Sequence, residues 1–166
     1  MSLIIGIDPG NIDSAYAVLD NDLRPIDFGK INNFKLLMKI QSRQFRNADV
    51  FAIEMIASYG MPVGATVFDT CVWIGRFIES IETYEIKTAN LVYRKDEKMV
   101  LCGTTKAKDG NVRQALIDRF GPVGVKKNPG WFYGVSKDVW AAIAVGVTYS
   151  DMYIKPNETK KKKVEA

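Results

Sequence analysis

Apolar and polar positions along the chain predict a mixed sheet flanked by helices. The run Leu3–Ile7 is rich in isoleucine, which is typical of a buried central strand. Ser14–Leu19 alternates small or polar residues with apolar ones, as the antiparallel partner in a hairpin does. Three further strands are predicted, at Ile26–Lys30, at Asp49–Glu54 and within residues 84–94.

Apolar residues recur every three or four positions in several other segments, which predicts helices. These helices are Asn32–Phe45 with Asn32 as its N-cap, Val67–Ile81, Asn111–Phe120 and one that begins after Ser136. In the second helix the apolar stripe is formed by Val67, Cys71, Ile74, Ile78 and Ile81. Trp73 falls on the opposite side, which predicts either an interface or a covering loop. Strands followed by helices that alternate with strands indicate an α/β fold with a mixed five-stranded sheet.

Length and composition are those of one globular domain, which we assign to residues 1–153, followed by a basic, disordered tail at 154–166. Cys71 and Cys102 lie in apolar surroundings without metal-site spacing, so we expect buried free thiols. No apolar run is long enough to span a bilayer, and the N-terminus lacks the layout of a signal peptide. We therefore expect a cytoplasmic protein with no membrane partner.

Histidine is absent from all 166 residues. This excludes Ser-His-Asp and Cys-His catalysis, zinc sites that use histidine, and nucleases that use a histidine as general base. Carboxylates, lysines or hydroxyl groups must carry any enzymatic chemistry.

Positive charge is concentrated in the second half of the chain. Between Lys87 and Lys137 there are eleven Lys and Arg against four Asp and Glu, a net charge of +7, whereas the rest of the chain has −3. Such a segment favours an anionic partner, nucleic acid above all, although a solvated basic face is the alternative.

Three acids interrupt the apolar pattern: Asp8 and Glu54 each end a predicted strand, and Asp138 lies in the first turn of the last helix. Each has an ordinary explanation, as the cap of a turn, the partner of a lysine and a charge on the helix dipole, respectively. Together at one sheet edge they would repel unless cations neutralised them. Oxygen ligands without His or Cys select Mg²⁺ or Mn²⁺, and two such ions can hydrolyse a phosphodiester without histidine.

The three acidic segments also resemble a known family. "IIGIDPGNIDSAYAVLD", "ADVFAIEMIASYGM" and "SKDVWAAIAVGVTY" are similar to the acidic motifs of RuvC-type Holliday junction resolvases of the RNase H-like superfamily. The match covers most of Leu3–Tyr149, and "DTCVWIGRF" and "KDGNVRQALIDRFG" resemble the phage and prophage branch. The resemblance implies an RNase H-like fold and a homodimer that binds four-way DNA junctions and makes paired nicks. It implies that Asp8, Glu54 and Asp138 hold the metal.

One position departs from the family pattern. Members carry two metal-binding side chains one turn apart on the last helix, whereas here Asp138 is followed by Ala141. A water, an unidentified residue or a weak single-ion site are alternatives for the missing ligand, and an Ala that disables the site is another. The small residues around it, Ala141, Ala142, Ala144, Val145 and Gly146, predict a close approach of this helix to the sheet.

Several basic and aromatic residues are candidates for DNA contacts. In the family, an aromatic residue in the region of Tyr59 is similar in role to a wedge that stacks on unpaired bases, although Tyr59 could simply pack its loop. Lys106 and Lys108, in a loop that leads into a helix, and Arg113 in that helix are candidate phosphate contacts. Lys126, Lys127 and Lys137, in the segment just before Asp138, are further candidates.

Three other functions are compatible with the motifs. The first is an actin-like ATPase, whose first phosphate hairpin is similar to "GIDPGNIDSAYAVLD"; that group needs two such domains. The second is a catalytically weak RNase H-like module that binds branched DNA, favoured by Ala141. The third is a relaxed nuclease for branched or forked DNA. We expect no small-molecule cofactor for a nuclease.

Overall fold

The computed structural model describes residues 2–156, and its main sheet has five strands in the order β3-β2-β1-β4-β5. The central strand β1 (Ile4–Asp8) pairs antiparallel with β2 (Asp13–Leu19) and parallel with β4 (Val50–Met55). The edge strands are β3 (Pro25–Asn32), antiparallel to β2, and β5 (Ala89–Tyr93), parallel to β4. The predicted mixed five-stranded sheet is confirmed.

Helices cover both faces of this sheet. They are α1 (Asn33–Gln41), α2 (Ala65–Ser80), α3 (Arg94–Cys102), α4 (Asp109–Phe120) and α5 (Lys137–Tyr149). Two π-helical turns, Ile81–Glu85 and Ser150–Ile154, extend α2 and α5. Ile5 and Ile7 of β1 pack in one buried cluster with residues of α1 and α2, whereas Ile4 packs in another with residues of α4 and α5. Alternate side chains of β1 thus face opposite layers, as the strand period requires.

The helix α5 lies against β1 at backbone distance. A Cβ placed on Gly6 would stand 2.1 Å from the carbonyl oxygen of Ala142 and 3.0 Å from the backbone nitrogen of Gly146, so only glycine fits there. The predicted close approach of the small-residue helix to the sheet is confirmed. It brings the first turn of α5 to the end of β1 that carries Asp8.

Two elements differ from the sequence prediction. α3 occupies a segment for which the sequence analysis predicted no helix, and the residue that it buries is Glu97 rather than an apolar side chain, so no hydrophobic period marks it. The segment "GPVGVKKNPGW", expected to form turns, contains a short hairpin of β6 (Gly124–Val125) and β7 (Asn128–Pro129). Lys126 and Lys127 lie at its tip.

The buried stripe of α2 also differs from the prediction, since its buried residues are Thr70, Ile74, Phe77 and Ser80. Trp73 does not lie on a polar face: it is half-buried, packs edge-on against Phe34 of α1, and has the Arg76 guanidinium 4.1 Å above its ring. The face of α2 that packs on the core is therefore rotated slightly from the apolar stripe that the sequence predicted.

Three smaller expectations have clear outcomes. Cys71 and Cys102 are free, as predicted, but only partly buried. Asn32 caps α1, because its side chain accepts the N–H of Phe34 at 3.0 Å. No helix within residues 2–156 is both long and apolar enough to cross a membrane. The predicted tail at 154–166 falls outside the described residues from 157 onward.

Candidate active site

The three predicted acids line one open cavity of about 490 Å³. β1 and β4 are neighbouring parallel strands, and their carboxyl ends place Asp8 and Glu54 at the same edge of the sheet. Both side chains lie on the face that α5 covers, and Asp138 enters the cavity from the first turn of that helix. Strand register and the backbone contact at Gly6 thus bring together three residues that are far apart in the sequence.

Asp138 and Glu54 are each held by a cation that the sequence analysis did not assign. The Lys30 ammonium of β3 lies 2.7 Å from Asp138 Oδ2, and Arg94 Nη1 lies 3.6 Å from Glu54 Oε2. No three Asp, Glu or Cys residues within residues 2–156 stand close enough together to form a ready metal site. The acids therefore converge on one cavity without forming a closed ligand cage.

Asp8 is not the cap of the Pro-Gly turn that follows it. The N–H of Gly10 donates to Ser14 Oγ at 3.1 Å, and the Asn33 amide donates to the Gly10 carbonyl at 2.8 Å. The Ser14 hydroxyl in turn donates to Asn33 Oδ1 at 2.6 Å in a buried network. Two polar side chains hold the turn, and the Asp8 carboxylate is left to face the cavity.

Burial and neighbouring charge disfavour the ionised form of Asp8. Burial is the larger cause and the charge of Glu54 the next, and together they raise the pKa of Asp8 to about 7, although Arg94 acts in the opposite direction. Burial likewise raises the pKa of Glu54, against the effect of Arg94. A divalent cation would favour the ionised form of both groups.

The donor set fits such a cation. All three acids supply hard oxygen donors, and Glu54 Oε2 is buried without a hydrogen-bond partner. Mg²⁺ and Mn²⁺ prefer this donor chemistry. Asp8, Glu54 and Asp138 are the residues that would hold the ion. Ala141 lines the cavity one turn after Asp138 and offers no ligand.

The β5–α3 junction contributes two residues that the sequence analysis missed. Arg94 directly follows β5, and Nη1 donates to Glu97 Oε2 at 2.9 Å while Nη2 contacts Asp109 Oδ1. The Glu97 side chain is fully buried, and its Oε1 has no hydrogen-bond partner. Burial, and next the charge of Glu54, raise the pKa of Glu97. Asp8 and Glu54 were predicted because each is a charged residue at the end of a strand, and the same criterion would also select Arg94. No feature of the sequence marks Glu97.

The predicted DNA-contact residues fall into two groups. Arg113 and Lys137 line the cavity, and the Arg113 guanidinium lies 5.0 Å from the centre of the Trp140 ring. The others are exposed outside the cavity: Tyr59, Lys106, Lys108, Lys126 and Lys127. The Tyr59 ring is 64% exposed, which disagrees with the alternative in which it packs its loop.

No family model and no curated protein sequence matches this chain. Its structure is similar to that of RuvC from Thermus thermophilus, with a TM-score of 0.66 and 17% identity over 93% of this chain and 96% of that one. T. thermophilus RuvC in complex with Holliday junction substrate gives a TM-score of 0.71 and 15% identity over 94% of this chain and 97% of that one. Fowlpox virus resolvase, in complex with substrate Holliday junction DNA, gives a TM-score of 0.49 and 16% identity over 92% of this chain and 99% of that one. The two RuvC structures establish the fold: it is the RNase H-like fold of RuvC, as predicted.

Proposed function

We propose that this protein is a divalent-metal-dependent endodeoxyribonuclease that resolves four-way DNA junctions by paired nicks. The observation that carries the proposal is the convergence of Asp8, Glu54 and Asp138 on one cavity of a RuvC-type fold. The solved RuvC neighbour in complex with a Holliday junction supports this choice of substrate. Resolution of such junctions belongs to DNA recombination, which for a phage protein takes place in the cytoplasm of a bacterial host.

The residues divide the hydrolytic work among them. A Mg²⁺ or Mn²⁺ ion bound by the three acids would make a water more acidic and stabilise negative charge on the phosphate. Asp8 is partly buried at the end of the central strand, so it fixes the ion against the sheet, while Asp138, which is 42% exposed, faces the incoming strand. Water attacks phosphorus, the phosphodiester P–O bond breaks, and the leaving oxygen takes up a proton.

Cations around the cavity mouth provide a path for the DNA backbone. Arg113 and Lys137 lie at the cavity itself and would contact the phosphates next to the cleaved bond. Lys106, Lys108, Lys126 and Lys127 lie farther out and would contact more distant phosphates. The exposed Tyr59 ring is available to stack on an unpaired base.

Paired nicks require two sites, and an exposed apolar surface suggests how two copies meet. Phe34 and Met38 of α1 and Phe68 and Val72 of α2 are each more than half exposed. Side chains of this kind at the centre of an interface are typical of homodimers. We therefore include a homodimer formed through α1 and α2 in the proposal; Val72→Glu should yield monomers in light scattering after gel filtration, whereas Ile26→Glu on β3 should not.

The decisive test uses a labelled synthetic four-way junction beside a linear duplex and a fork, each with Mg²⁺, Mn²⁺ or chelator. We expect paired nicks near the crossover that chelator abolishes, and no cut by Asp8→Asn, which should still bind the junction. Equal cutting of fork and junction would instead indicate the relaxed branched-DNA nuclease. Tight junction binding without any cut would indicate the catalytically weak module that Ala141 favours. Full activity of Asp8→Asn would refute the metal assignment.

A further inference from the structure

Arg94 places a permanent positive charge among the carboxylates of the site. Its Nη1 lies 2.9 Å from Glu97 Oε2 and 3.6 Å from Glu54 Oε2, and its Nη2 contacts Asp109. The guanidinium lines the same cavity as Asp8 and Asp138. A guanidinium stays protonated at any pH at which a protein is folded, so this charge is always present.

Glu97 holds the Arg94 guanidinium in its position in the site. The Glu97 side chain is fully buried, and Arg94 is the only cation within residues 2–156 that forms an ion pair with it. Withdrawing Arg94 would leave the buried Glu97 carboxyl group without its hydrogen-bond donor and Glu54 without its ion-pair partner, which is unfavourable. Arg94 is therefore a fixed part of the site, whereas a solvent-exposed cation could move aside for a metal ion.

A second divalent ion would have to share this space with Arg94 and would find few ligands. The ligand that could hold it on α5 is missing, because Ala141 lines the cavity at that position. Glu54 is the one proposed ligand within residues 2–156 that forms an ion pair with the guanidinium, and a doubly charged ion close to Arg94 would be repelled by it. The site thus lacks the acid at position 141 that would bind a second ion, and it already contains a positive charge, that of the Arg94 guanidinium.

We propose that Arg94 replaces one of the two ions expected from the sequence, so that each chain binds a single divalent ion and the Arg94 guanidinium supplies the second positive charge to the phosphate. The proposal rests on the proposed nuclease function and specifies its site. Nη1 and Nη2 already contact Glu97 and Asp109, so the guanidinium acts on the phosphate through its positive charge. It neutralises charge on the phosphate without binding a water of its own.

The test is the number of Mn²⁺ ions per chain, measured by titration calorimetry and by electron paramagnetic resonance. The free protein and its complex with a four-way junction carrying non-hydrolysable linkages are both titrated. We expect one ion per chain and no Mn²⁺–Mn²⁺ coupling in either state, and one ion in Ala141→Asp as well. The combination Arg94→Gln, Glu97→Gln and Ala141→Asp should bind two coupled ions, because it removes the resident cation, leaves no buried unpaired charge and restores an acid.

Lys95→Gln, on the exposed side of the same helix, is the matched control and should still bind one ion. Two ions in the parent protein would overturn the proposal, and so would a folded triple variant that binds only one. The parent protein decides the matter even if the triple variant does not fold. If the parent protein binds two ions and cleaves DNA, the nuclease function holds and the proposed role of Arg94 is refuted. If it binds one ion and cleaves no DNA, the single-ion site holds and the nuclease function is refuted.

Discussion

Two ion pairs flank Asp8, and they differ in how far water reaches them. On one side the Lys30 and Asp138 side chains are 47% and 42% exposed, and their contact is 2.7 Å long. On the other side Arg94 contacts Glu97 at 2.9 Å, and the Glu97 side chain is fully buried. Water screens the first pair, which can open at little cost, whereas opening the second leaves a buried carboxyl group without its hydrogen-bond donor. The ion pair between Lys30 and Asp138 can thus be broken easily, whereas the ion pair between Arg94 and Glu97 is held in place.

The positions of the two cations in the fold explain the difference. Lys30 lies on the edge strand β3 and extends its long side chain through solvent to reach Asp138. Arg94 begins α3 at the end of β5, and Glu97 follows three residues later on the buried side of that helix. Arg94 is therefore part of the packing between α3 and the sheet as well as part of the site.

The largest effect that this comparison predicts is on stability. Arg94→Ala should lower the free energy of unfolding by about 1–3 kcal/mol, because it leaves the buried Glu97 carboxyl group without its hydrogen-bond donor. Lys30→Ala should lower it by less than about 1 kcal/mol, since its partner remains hydrated. Urea denaturation measures both. Adding Glu97→Met to Arg94→Ala should recover much of the loss, because it removes the unsatisfied polar group, and a cost for Arg94→Ala no larger than that for Lys30→Ala would contradict the contrast.

The next effect concerns pH. The pKa of Asp8 is raised to about 7, so without metal the folded chain retains a proton from about pH 4 to pH 7 that the unfolded chain loses. The stability of the metal-free protein should therefore fall as pH rises through this window, and the stabilisation given by Mg²⁺ should grow through the same window. Thermal unfolding between pH 5 and pH 8, with Mg²⁺ or with chelator, measures both trends. Asp8→Asn should make both trends less steep, and the slope that remains belongs to Glu54 and Glu97, whose pKa values are also raised; equally steep trends in that variant would exclude Asp8 as a cause.

A smaller effect separates the cations inside the cavity from those outside it. Replacing Lys106 and Lys108 together by Ala should weaken binding to every DNA by a similar factor and reduce the slope of log K against log salt by about 2. Cleavage of bound junction should proceed at the parent rate, because neither lysine reaches the cavity. Fluorescence anisotropy at several salt concentrations measures the slope. An unchanged slope would exclude both residues from the interface.

The smallest effect concerns metal affinity on the exposed flank. Lys30→Met removes a cation that competes for Asp138, so Mn²⁺ should bind up to about fivefold more tightly, corresponding to at most about 1 kcal/mol. Titration calorimetry with Mn²⁺ measures the change. Lys35→Met, on an exposed position of α1, should leave the affinity unaltered. Weaker binding in Lys30→Met would mean that Lys30 supports the ion instead of competing with it.

The sequence was sufficient to predict the sheet and the convergence of three acids at one edge of it. Asp8 and Glu54 were recognised because a charge at the end of an apolar strand is costly without a partner, and Asp138 because of its place at a helix start. Glu97 could not be found in this way: it fills a core position of α3 that patterns reserve for apolar residues, and it is tolerated only through its contact with Arg94. Lys30 gave no signal either, because its partner is 108 residues away in the chain. Local pattern thus predicts where charges lie but not which charges meet.

The backbone contact between Gly6 and Ala142 also has a consequence for the order of synthesis. Asp138 is synthesised 130 residues after Asp8, and α5 must then dock on β1 before Asp138 reaches the cavity. Contacts between residues far apart in the sequence are slow to form in folding. A nascent or truncated chain that ends before Lys137 contains two of the three acids and no assembled site. The complete set of acids is thus assembled only after α5 has been synthesised and has docked on β1.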